Sequence, residues 1–129
     1  MLYFIKVDPR ILIVDDDSEI YESLAELLAS EGFEPVWAKN AEEFKAQAFS
    51  HKPALIILDI LLGRDNGTQT YNKLLLEGFD RKVPVVFLSG LVENYGTAPV
   101  LPGRTYALHS KPFKYEELLR DIRCLIQTA

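Results

Sequence analysis

Three short segments of this chain, 10–14 (RILIV), 54–58 (ALIIL) and 83–88 (VPVVFL), are apolar almost without interruption. A strand with one face in water alternates apolar and polar residues, so continuous runs of this length mark strands covered on both faces. A fourth run, 35–39 (PVWAK), and a weaker fifth, 105–109 (TYALH), complete the set. Helical patterns separate them. From Ser18 the residues Ile20, Leu24, Leu27 and Leu28 follow helical spacing, with Glu19, Glu22 and Glu26 opposite,. Ser18 is the expected N-cap of that helix and Gly32 its stop. Asn40 is expected to cap 41–50, where Phe44 and Ala48 face inward. Segment 68–77 carries Tyr71, Leu74 and Leu75 before Gly78, and 115–127 carries Leu118, Leu119, Ile122, Leu125 and Ile126. Strands alternating with helices predict βαβ units around a parallel sheet, and 129 residues suit one such domain,. The alternation falters only at 91–103, where Gly96, Pro99, Pro102 and Gly103 predict a short or irregular element,.

The polar residues that matter stand at strand ends. Asp15, Asp16 and Asp17 follow the first run, Asp59 the third, Ser89 the fourth, and Lys111-Pro112 the fifth. In open α/β sheets ligands bind at the carboxyl ends of the strands. Taken alone, the three aspartates read equally well as helix caps; four strand ends delivering polar groups to one edge do not. Carboxylates crowded together repel and raise one another's pKa unless a cation intervenes. A hard oxygen-preferring ion such as Mg²⁺ relieves that repulsion and leaves room for phosphate oxygens. A carboxylate then serves as nucleophile toward a phosphoryl group, with a lysine and a hydroxyl to meet its oxygens.

At 11–17 (ILIVDDD), 53–59 (PALIILD), 83–90 (VPVVFLSG) and 111–113 (KPF) the sequence resembles the response-regulator receiver domains of two-component signalling, the CheY-like family. Each motif alone is weak, while the ordered set is specific, and it covers the chain from about Arg10 onward. The resemblance implies a flavodoxin-like (βα)5 doubly wound parallel sheet with strand order 2-1-3-4-5. It divides the chain into an N-terminal extension, 1–9, and a receiver domain, 10–129. It implies Asp59 as phosphoacceptor, Asp15 and Asp16 as the acidic pair for Mg²⁺, and Leu61 as a ligand through its backbone carbonyl. It implies Ser89 as the switch hydroxyl, Lys111 as the contact to the phosphoryl group, and a cis Lys111–Pro112 bond. Asp17 is expected in the first helical turn. The phosphoryl group would come from a histidine kinase or a histidine phosphotransfer protein, and the chain would be no enzyme beyond its own phosphorylation and dephosphorylation.

Several positions depart from the family pattern. In 60–67 (ILLGRDNG) Gly63 replaces the usual proline and is expected to loosen the loop without touching the ligands, while Gly67 keeps the turn glycine. Leu108 occupies the place, three before the lysine, that normally carries an inward-swinging aromatic residue. Tyr106 lies on the same strand face about 6–7 Å away, and whether it substitutes stays open. Leu61 and Leu91 flank the phosphoryl position with apolar side chains that cannot orient water, which predicts a long-lived phosphoaspartate.

Other classes fit less well. A net charge of −5, from 14 basic and 19 acidic residues, disfavours sequence-independent nucleic-acid binding,. The start, 1–9 (MLYFIKVDP), lacks the basic and long apolar regions of a signal peptide, and no apolar stretch approaches the roughly 20 residues of a membrane span,. The one cysteine, Cys124, fits a reducing, cytoplasmic compartment and reads as buried filler in the last helix,. His51 and His109 lack metal-ligand spacing, and Trp37 reads as packing. A dehalogenase-type phosphatase wants an aspartate where Leu61 stands, and a flavodoxin would have its phosphate repelled by residues 15–17. The remaining alternative is a degenerate receiver acting as a constitutive protein-interaction module. The last helical pattern runs to the end of the sequence, so no output domain is expected within it; the downstream partner is not encoded in these motifs.

Overall fold

The computed structural model describes residues 8–90 and 106–128. The irregular fourth helix expected at 91–103, and nearly all of the 1–9 extension, lie outside the described residues. The remaining elements run β1 (Arg10–Val14), α1 (Ser18–Ser30), β2 (Glu34–Ala38), α2 (Ala41–His51), β3 (Leu55–Asp59), β4 (Leu61–Leu62), β5 (Asp65–Asn66), α3 (Gly67–Leu76), β6 (Val85–Ser89), β7 (Tyr106–Ser110) and α4 (Tyr115–Thr128). Five strands form one parallel sheet in the order β2-β1-β3-β6-β7. With the small β4–β5 hairpin set aside this is the expected 2-1-3-4-5 order of the flavodoxin-like fold.

Why the strands are apolar on both faces is now visible. Leu12, Val14, Ile56, Leu58, Val85 and Phe87 point to one face and pack with Phe44 and Ala48 of α2 and with Tyr71, Leu74 and Leu75 of α3. Their neighbours Ile11, Ile13, Leu55, Ile57, Val86 and Leu88 point to the other, against Leu24 and Leu28 of α1 and Leu118, Ile122 and Leu125 of α4. Each such buried side chain contributes about 1.5–3 kcal/mol relative to exposure. Along the central strands β1, β3 and β6 that pattern covers both faces, so their polar groups are delivered at the strand ends.

Two local expectations change. Asp17, not Ser18, caps α1: its side chain accepts the Glu19 N–H at 2.9 Å, and it therefore lies before the first turn instead of in it. Cys124 is exposed, because α4 buries Leu118, Ile122 and Leu125, and a residue two places after Ile122 falls on the opposite side of the helix,.

The loop after Asp59 forms a small hairpin with glycine in place of the usual proline. Leu61 and Leu62 pair with Asn66 and Asp65 across a two-residue turn, Gly63-Arg64. Gly63 has φ +60 and Arg64 does not have positive φ, the signature of a type II′ hairpin turn,. Proline, fixed near −65°, cannot adopt that φ. Glycine here builds a hairpin, and a Cβ placed on it would lie 3.8 Å from an Asp16 carboxylate oxygen.

Candidate functional site

β1 and β3 end side by side at the centre of the sheet, and Asp15 and Asp59 leave from those ends. Asp15 is fully buried and Asp59 nearly so, while Asp16 is exposed. Carboxylate oxygens of the three lie within 4.8 Å of one another. Lys111, just past β7, reaches across β6 and donates to Asp15 Oδ2 at 2.8 Å and to Asp59 Oδ2 at 3.1 Å. The second oxygen of each buried carboxylate is also held: Asp15 Oδ1 accepts from the Asp17 N–H at 2.9 Å, and Asp59 Oδ1 from the Leu61 N–H at 3.1 Å.

Charge decides what this arrangement can hold. Three carboxylates against one ammonium leave a formal −2. At 4.8 Å each carboxylate pair repels by about 3 kcal/mol at an effective dielectric near 20,. Burial pushes the Asp59 carboxyl up to about 6; the Lys111 charge opposes that and Asp15 adds to it. Burial also works against the Lys111 ammonium, but the hydrogen bond and charge of Asp15, and then those of Asp59, outweigh it and hold the amine above its ordinary value. An all-oxygen donor set with two excess negative charges fits a hard divalent cation.

The other expected residues fall at the same edge. Ser89 is buried at the end of β6, one residue beyond Leu88, which pairs with Asp59, and its carbonyl accepts the Lys111 N–H at 2.8 Å. The Lys111–Pro112 bond is cis, as the resemblance implied. Leu61 touches the site through its backbone, with its side chain exposed. Leu91 lies outside the described residues. Tyr106 and Leu108 share the face toward α2 and α3, and the Tyr106 ring meets Phe87 edge-on at 5.9 Å. His109 pairs with Asp121 of α4 at 2.7 Å, and the metal-capable group found among the described residues is made of aspartates alone.

The family model described as the response regulator receiver domain matches residues 11–123. The chain belongs to that family. Similar proteins include the phosphate regulon transcriptional regulatory protein PhoB of Escherichia coli, 31% identical over 92% of this chain and 52% of PhoB. The DNA-binding dual master transcriptional regulator RpaA of Synechocystis is 29% identical over 92% of this chain and 49% of its own length. The chain thus spans about half the length of the curated relatives it matches. Among solved structures, the receiver domain of NtrX from Brucella abortus is 29% identical with a TM-score of 0.78, covering 92% of this chain and 99% of the other. The receiver domain of the Francisella response regulator 1452 has a TM-score of 0.81 at 21% identity, covers 94% of this chain and 98% of the other, and supports the fold. As a receiver domain the chain is homologous to phosphorylatable response regulators of two-component systems, and its aspartate cluster is compatible with Mg²⁺. Among the described residues no helix is long and apolar enough to cross a membrane.

Two contacts escape the motifs. The Trp37 indole N–H donates to the Asp15 carbonyl at 2.9 Å. Gly67 packs against the Asp59 backbone with no room for a side chain. For Gly67 the signal was its retention in the loop; for Trp37 there was none before the β1–β2 register was known.

Proposed function

We propose that Asp59 accepts a phosphoryl group from the phosphohistidine of a histidine kinase or histidine phosphotransfer protein. One Asp59 carboxylate oxygen forms the new O–P bond as the N–P bond breaks, and the imidazole nitrogen retains the electron pair of that bond. Mg²⁺, held by Asp15, Asp16, Asp59 and the Leu61 carbonyl, would neutralise charge on the phosphoryl oxygens. Lys111 moves its ammonium from its two carboxylate partners onto a phosphoryl oxygen, and the Ser89 hydroxyl donates to another. The single observation that carries this reading is the Lys111 ammonium bridging Asp15 and Asp59 at 2.8 and 3.1 Å within a three-carboxylate cluster. A purely structural cluster has no use for two buried like charges so close together.

In this reading residues 10–129 are the receiver unit and 1–9 an extension. Its chemistry is confined to its own phosphorylation and dephosphorylation. The net charge of −5 argues against nucleic-acid contact by these residues and the lone cysteine for the cytoplasm,.

The test is incubation with Mg²⁺ and a small phosphodonor such as acetyl phosphate, followed by intact mass. One added phosphoryl group, absent in Asp59→Asn and abolished by a chelator, is the expected result. No addition with any donor would sink this reading in favour of a degenerate interaction module.

A further inference from the structure

Asp15 is tethered at every polar group. Its N–H donates to the Ala38 carbonyl at 3.1 Å, Oδ1 accepts from Asp17 and Oδ2 from Lys111. Those three bonds belong to the strand ladder, the turn and the charge cluster. The fourth comes from elsewhere: the carbonyl accepts the indole N–H of Trp37, on the neighbouring strand β2, at 2.9 Å.

This bond is built, not incidental. Trp37 pairs in register with Ile13, so its ring leans forward along the strand to reach the residue two places on,. Tyr21 of α1 fixes the plane of the indole by stacking on it, with ring centres 4.8 Å apart and planes 9° from parallel,. At Asn40 the chain has already turned to cap α2, and the indole supplies the donor at this end of the ladder. The consequence falls on Asp16. A peptide unit is planar, so holding the Asp15 carbonyl holds the nitrogen and Cα of Asp16 as well. Asp16 is exposed, and its carboxylate lies within 4.8 Å of those of Asp15 and Asp59.

We propose that Trp37 is a positioning residue for the cation site: through the Asp15 carbonyl it fixes the 15–16 peptide at the orientation that brings Asp16 to Asp15 and Asp59. The proposal rests on the receiver reading given above. A merely space-filling tryptophan would leave cation affinity untouched when replaced by another flat ring.

The chain has one tryptophan, so ¹⁵N-labelled protein gives one indole N–H signal. During a MgCl₂ titration that signal should shift with the same midpoint as the backbone amides of Asp16 and Leu61. Trp37→Phe keeps a ring for Tyr21 and removes the donor. Its Mg²⁺ midpoint, read from the same amides, should rise roughly tenfold, the scale on which outer contacts act on metal affinity. Tyr21→Leu, which keeps the donor, should raise it less. Amides that shift while the indole stays still, with an unchanged midpoint in Trp37→Phe, would overturn the proposal and leave the receiver reading intact. Amides that never shift would overturn the cation site itself. If Trp37→Phe does not fold, hydrogen exchange of the indole in metal-free wild type decides: protection supports the bond, and exchange at the rate of an exposed tryptophan refutes it.

Discussion

Gly67 and Asp59 touch backbone to backbone: a Cβ placed on Gly67 would fall well inside 3.0 Å of the Asp59 carbonyl oxygen. The Gly67 N–H meanwhile donates to the Ile60 carbonyl at 2.7 Å, which closes the β4–β5 loop against the end of β3. The glycine lets the start of α3 lie directly on the residue we propose as phosphoacceptor.

Gly67→Ala therefore displaces either α3 or the end of β3. The expected cost is about 1–3 kcal/mol, as for other overpacked sites. Thermal melting measures it. Phosphoryl uptake from acetyl phosphate should fall as well, because the shift disturbs the Leu61 N–H bond to Asp59. A variant as stable and as active as wild type would contradict the close contact.

Asp59 is expected to destabilise the fold at neutral pH. A carboxyl at about 6 in the folded chain and 3.8 in the unfolded one binds more protons when folded between those values. Stability without Mg²⁺ therefore falls as pH rises through that window. Asp59→Asn should be more stable than wild type by about 1–2 kcal/mol at pH 7.5, less than the full shift because Lys111 loses a partner, and the gain should vanish near pH 4. Paired denaturant titrations at the two pH values measure it.

Lys111→Gln should have the opposite sign. Removing the ammonium leaves Asp15 and Asp59 facing each other without compensation, at an expected loss of about 1–3 kcal/mol at pH 7.5. Because Lys111 holds Asp59 down, the Asp59 carboxyl should titrate higher in the variant, and the loss should shrink as pH falls below 6. The wild-type lysine, raised by its partners, contributes fully from about pH 6, where Asp59 is ionised, up to its ordinary 10.5, and the contribution is lost as pH rises beyond that,. An NMR titration of the Asp59 carboxyl reads the shift directly.

The Leu61 side chain offers no polar group to orient a water beside a phosphorylated Asp59. A slow loss of the phosphoryl group is expected, and Leu61→Asn should accelerate it roughly threefold or more. Decay followed by intact mass after removal of the donor tests this. Equal decay in the two proteins would assign the lifetime to other residues.

The sequence by itself determined the sheet, its layers and the identity of the polar residues at its edge. Apolar runs such as 54–58, short, rich in isoleucine and set between helical patterns, fit a strand covered on both faces, and the ordered motifs name Asp15, Asp16, Asp59, Ser89 and Lys111,. Its errors were local. Asp17 outcompeted Ser18 as a cap because a carboxylate oxygen reaches the Glu19 N–H, and Cys124 fell on the far side of α4 from Ile122. What only the tertiary structure decided are contacts between residues far apart in the chain: Lys111 on Asp15, Trp37 on the Asp15 carbonyl, Gly67 on Asp59. Periodicity tells which face a residue takes. Strand register and helix placement, which depend on the whole core at once, tell what it meets there.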